Sequence, residues 1–141
     1  MKINKMILSA ALASTVFFSS GAFSSIEGKY QCTFPEGLGY INSKNPIGES
    51  IITHVSGNNY TSDWKINEGN KLLSSGHSSW VVIGDKVLSQ WSKAAFKNKD
   101  RLKGVAELSI KGNVISGDVI SWLIMKNDIK RFKNTVICHK M

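Results

Sequence analysis

Runs of alternating apolar and polar residues, each ended by a turn carrying glycine or asparagine, constrain this chain more than any other feature. Ile26, Gly28, Tyr30, Cys32 and Phe34 alternate with Glu27, Lys29, Gln31 and Thr33. Tyr60, Ser62, Trp64 and Ile66 alternate with Thr61, Asp63 and Lys65, and Leu102, Gly104, Ala106, Leu108 and Ile110 do so against Lys103, Glu107, Ser109 and Lys111. A period of two sends successive side chains to opposite faces, so each run reads as a half-buried strand. Between the runs stand Gly57-Asn58-Asn59, Glu68-Gly69-Asn70, Gly84-Asp85 and Lys111-Gly112-Asn113. Glycine and asparagine tolerate the positive φ angles of tight hairpins.

The strands expected on this basis are 26–34, 49–56, 59–67, 71–83, 86–92, 102–111, 113–124 and 130–139. Gly76 within the fourth predicts a bulge or a sharp bend. The connection 35–48, with Pro35, Gly37, Gly39, Pro46 and Gly48, reads as an irregular loop; 93–101 reads as a connection able to form a helical turn. No amphipathic helix of useful length appears. The fold class is therefore all-β. Eight antiparallel strands joined mainly by hairpins solve their edge problem by closing into an up-and-down barrel, with a two-sheet sandwich as the alternative.

Residues 1–24 read as a cleavable signal peptide. Lys2 and Lys5 give a positive start, Met6 to Phe18 is apolar and uncharged, and Ala22 and Ser24 occupy the small-residue positions before a cut. The apolar run is short for a membrane span, so the expected product is not transmembrane. It is a single exported domain, 25–141, periplasmic or secreted. Export makes Cys32 and Cys138 readable as a disulfide. It would tie the first strand to the last, on faces shared with Tyr30 and Phe34 and with Phe132 and Val136. Losing Lys2 and Lys5 with the leader leaves 16 of the 18 basic residues against 10 acidic ones, a net charge of +6. Such a surface favours anionic partners or serves solubility.

The chain at this point resembles the calycin group of lipocalins, fatty-acid-binding proteins and avidin-like barrels. Gly28-Lys29-Tyr30 stands where those families carry Gly-x-Trp on the first strand. The resemblance implies that Lys133 or Arg131 on the last strand packs over that ring. Tyr replaces Trp, and the lipocalin Thr-Asp-Tyr motif is missing from the later half. A second resemblance is to periplasmic inhibitors of C-type lysozyme, whose Ser-Gly-x-x-Tyr loop enters the enzyme cleft. Ser56-Gly57-Asn58-Asn59-Tyr60 fits that pattern, and makes Ser56, Gly57 and Tyr60 the inhibitor loop of an alternative function. The Lys-Gly pair of the hairpin that follows in those proteins is not matched by Trp64-Lys65 or Glu68-Gly69.

Catalytic chemistry finds little footing. No Gly-x-Ser-x-Gly elbow exists, and His54, His77 and His139 share no metal-ligand spacing. With no phosphate-cradling loop before a helix, no cofactor is expected. Asp63 and Asp118 are the one carboxylate pair worth weighing as acid and base; Asp63 reads as outward, and the direction of Asp118 is open. The expectation is a non-enzymatic binding protein for a small amphiphile, an anionic lipid or a glycan, with a protein target under the inhibitor reading and no nucleic-acid partner. Tyr60, Trp64, Trp80, Trp91 and Trp122 are the candidate barrel-interior ligand residues; they would serve equally well as core. Lys93, Phe96, Lys97, Lys99, Arg101 and Lys103 form a candidate anionic-surface site with Phe96 as an exposed tip. A further basic run, Lys126, Lys130, Arg131 and Lys133, falls elsewhere on the rim.

Overall fold

The computed structural model describes residues 26–96 and 99–141; the expected leader, together with Lys97 and Asn98, lies outside them. The described chain is all-β. Strands β1 (Gly28–Thr33), β2 (Ile47–Ser56), β3 (Asn59–Glu68), β4 (Lys71–Ile83), β5 (Lys86–Phe96), β6 (Lys99–Lys111), β7 (Val114–Ile124) and β8 (Ile129–Lys140) follow one another around a closed barrel. Every neighbouring pair is antiparallel, including β1 with β8. Closure leaves no strand edge exposed, which answers the choice between barrel and sandwich.

Three of the hairpins and the β3–β4 turn fall on the expected Gly/Asn sites. Gly57, Gly69, Gly84 and Gly112 each take φ between 50° and 60°, a conformation that costs a residue with a Cβ. Two strand boundaries differ from expectation by three residues or more. β5 continues to Phe96 and β6 begins at Lys99, so 93–101 is mostly strand rather than a loop with a helical turn. The cause is a pair of register shifts in β5, between Trp91 and Ala94 and between Ala94 and Ala95, which break the period of two. The irregularity expected at Gly76 is present: the β4–β5 ladder shifts between Gly76 and Ser79.

The seam between β1 and β8 is short, four register pairs from Tyr30↔Lys140 to Thr33↔Ile137. Cys32 and Cys138 face each other within it and are joined by a disulfide. Tyr30 is buried, and its hydroxyl donates to the Ile26 carbonyl at 2.9 Å. Arg131 and Lys133 do not cover that ring. Both are exposed on the outward face of β8, and the basic residue opposite Tyr30 is Lys140.

The interior has two apolar ends. At the end bearing the 57–58, 84–85 and 112–113 turns, Tyr30, Ile52, Tyr60, Trp80, Val82, Val87 and Ile115 pack solidly. At the other end the β1–β2 connection folds over the barrel mouth as a lid. Leu38 packs with Ile66 and Leu73, and Tyr40 meets Phe96 and Phe132 edge to face at 5.5 and 6.2 Å between centroids. Glu68 fastens the lid from β3, accepting from the Ser43 hydroxyl and from the Lys44 amide at 3.1 Å. Thr135 of β8 holds Glu36 at 3.2 Å.

Candidate functional site

Two tryptophans organise the space between the apolar ends. Trp64 on β3 stands opposite Gly76 on β4, and Trp91 on β5 stands opposite Gly104 on β6. Each indole lies over its glycine: a Cβ on Gly76 would come within 2.5 Å of Trp64 Cζ2, and one on Gly104 within 2.2 Å of Trp91 Cζ2. The missing side chains are what let the rings lie against the barrel wall. The two indoles then meet edge to face, 5.9 Å between centroids.

Around them runs a girdle of small polar residues. Ser50, Ser62, Ser78, Ser89, Ser121 and Asn134 are buried and come from six different strands. Small residues beside large rings leave a cavity of about 120 Å³, walled by Trp64, Trp80, Trp91, Leu102, Leu108 and Val136, with Leu38 and Tyr40 of the lid. The described barrel is packed at both apolar ends and keeps a chamber between them, beneath the lid. Its walls are mainly apolar and its polar groups mostly satisfy one another. Ser50 and Ser62 share a short hydroxyl contact, and Trp80 Nε1 donates to Ser78 Oγ at 3.0 Å. The Ser74 hydroxyl and the indole Nε1 of Trp91 differ: both are buried and have no hydrogen-bond partner. Such a donor out of water costs about 1–3 kcal/mol until something accepts from it. Charge is kept out of the chamber, because Glu49 and Lys65, whose residues border it, pair at 3.4 Å with their side chains in solvent. Burial raises the Tyr40 phenol above the ordinary tyrosine range, against a smaller opposite influence of the nearby Ser74 hydroxyl.

Of the interior candidates, Trp64, Trp80 and Trp91 line this cavity. Tyr60 is inward but packs in the solid end, against the ring of His54 at 4.8 Å. Trp122 is a correction. Its neighbours Ser121 and Leu123 are buried, so the strand's alternation turns Trp122 outward, half-buried on the barrel's exterior. Leu38 and Tyr40 were missed by sequence reasoning, since an irregular loop has no periodicity to betray an inward face.

The anionic-surface candidate is rearranged as well. Phe96 is buried among Ala94, Leu102 and Leu123 and is no exposed tip, because the first shift in β5, between Trp91 and Ala94, turns it inward beneath Tyr40. Lys93 and Lys103 are exposed and Arg101 is half-exposed, Lys99 opens β6, and Lys97 falls outside the described residues.

The inhibitor loop separates into two parts. Ser56 and Gly57 are exposed at the 57–58 turn, whereas Tyr60 is 2% accessible inside the barrel and cannot enter a partner's cleft. Nor do the carboxylates meet. Asp63 and Asp118 are exposed on β3 and β7, opposite sides of an eight-strand ring, with His77 at 2.7 Å from the first and Lys133 at 3.9 Å from the second. Among the described residues no group of three or more His, Cys, Asp or Glu side chains is placed to hold a metal, and no helix is long and apolar enough to cross a membrane.

No family model matches this chain, and no curated protein matches it. Among solved structures it is similar to the crystal structure of Rv2717c from M. tuberculosis, with 13% identity, a TM-score of 0.50, and coverage of 86% of this chain and 96% of that one. That likeness concerns the barrel fold alone.

Proposed function

We propose that this chain is an exported, non-enzymatic binding protein whose barrel holds one small neutral ligand beneath the β1–β2 lid. The observation that carries this reading is the cavity of about 120 Å³ walled by the Trp64, Trp80 and Trp91 rings. The Trp64 and Trp91 rings would bracket the ligand's apolar body. The chamber is comparable to a 150 Å³ apolar cavity that takes benzene, so the ligand, or the part that enters, is about the size of one ring. An uncharged, mainly apolar compound suits these walls better than a charged amphiphile.

Cyclopentane, titrated into nitrogen-15-labelled protein, is expected to move the indole N–H resonances of Trp64, Trp80 and Trp91 and to leave that of the outward Trp122 in place. Cyclopentanecarboxylate, of similar size but charged, should leave all four in place. Unmoved resonances at saturating cyclopentane, or equal binding of the carboxylate, would end this reading.

A further inference from the structure

The outward face of β6, β7 and β8 brings together residues that lie apart in the sequence. Lys103, Trp122 and Arg131 are consecutive cross-strand partners, so an outward indole lies between two cations in one row. In the next row toward the lid end, Ile124 pairs with Ile129, which is 63% accessible, and Arg101 on β6 is half-exposed. In the row on the other side, Val105, Ile120 and Lys133 align. Lys126 and Lys130 are exposed at the β7–β8 end of the face, and Lys93 is exposed on the irregular stretch of β5. Lys93, Arg101 and Lys103 of the first basic run and Lys126, Lys130, Arg131 and Lys133 of the second therefore lie along one side of the barrel, β5 to β8.

Acidic groups stand away from its centre. Glu107 and Asp118 pair with each other four residues from the Trp122 row, and Asp118 is held by Lys133 at 3.9 Å. Asp128 is in the β7–β8 turn, where Oδ1 accepts from the Ile129 amide at 2.8 Å. From this arrangement we propose that the β6–β8 face docks the protein on an anionic lipid bilayer, with Trp122 at the headgroup level and Ile129 at the acyl boundary.

Charge complementarity names the occupant's sign, and the apolar side chains name its kind. An acidic glycan would be met by cations alone and would leave Ile124, Ile129 and Trp122 facing water. A headgroup layer takes both, since indole rings settle at the membrane interface while lysine and arginine reach phosphate. This site is on the outside of the wall and independent of the cavity.

The test is sedimentation of the purified protein with vesicles of phosphatidylcholine alone or with about 30 mol% phosphatidylglycerol, at roughly 0.1 M salt. Binding is expected with the anionic vesicles alone. At about 1 kcal/mol per surface cation, Lys103→Gln with Arg131→Gln should weaken it about thirtyfold. A second readout does not depend on the strength of binding. Among the described residues Trp64, Trp80 and Trp91 line the cavity and Trp122 alone points outward, so brominated lipid should quench a fraction of the fluorescence that disappears in Trp122→Phe. Failure to sediment with anionic vesicles, unchanged binding of the double variant, quenching that survives Trp122→Phe, or capture by heparin without vesicle binding would each overturn the proposal.

Discussion

Cutting the Cys32–Cys138 bridge should cost this barrel a large share of its stability, mainly through the unfolded chain. The bridged residues are 106 apart in sequence. On the chain-entropy model, freeing a loop of that length returns about 4.7 kcal/mol to the unfolded state at 25 °C. The folded state gives little back, because the β1–β8 seam has four register pairs and β1 is six residues long. For a domain of this size about 4 °C of melting temperature goes with each kcal/mol, so reduction should lower Tm by roughly 15–20 °C. The assay is urea unfolding of the oxidised and the dithiothreitol-reduced protein, followed by tryptophan fluorescence. The midpoint should fall and the slope m should rise, since an uncrosslinked unfolded chain exposes more surface. A loss below about 1 kcal/mol, with both thiols verified free, would refute the argument that the bridge acts on a long closed loop.

Gly104→Ala should destabilise by about 1–3 kcal/mol or more in the same urea assay, because its Cβ would be 2.2 Å from Trp91 Cζ2 and 2.7 Å from the Ile120 carbonyl oxygen; adding Trp91→Ala should relieve part of that cost. The Ser43 hydroxyl, and to a lesser degree the Lys44 amide, hold the Glu68 carboxyl below its ordinary value of 4.5. A depressed carboxylate contributes stability that is present above pH 4.5 and lost as pH falls through the lower folded-state value. Limited proteolysis within 35–46 by pepsin should therefore accelerate below that window, and Glu68→Gln should remove most of the pH dependence.

The strands were legible because alternation and turn chemistry agreed along most of the chain, as in β3 and β4, where Gly57, Gly69 and Gly84 mark the turns. Legibility failed where the period slipped. From Trp91 to Ala94 the inward positions are three apart, and that hid both the continuation of β5 and the burial of Phe96. Trp122 was misread because β7 is apolar on both faces. The signal was nonetheless there, as Asp118 sits four residues away on the same face and an exposed carboxylate marks the outside. The cavity was partly legible through its serines and tryptophans, whereas the lid was not, since Leu38 and Tyr40 take their places from tertiary contacts alone.

A ring has no end from which to unravel, so any local opening must break a ladder on the barrel wall. The weakest ladder by length, between β1 and β8, is the one that the disulfide rivets. Strain or heat is then passed to the next fault, the stretch where β4 and β5 lose register between Gly76 and Ser79, beside the interruption of β5 with β6 after Trp91. Amide protons there are expected to exchange through small openings that leave the rest of the ring intact. Trp64, opposite Gly76, and Trp91 both border that fault, so a local opening there meets the chamber wall before it meets the solid end.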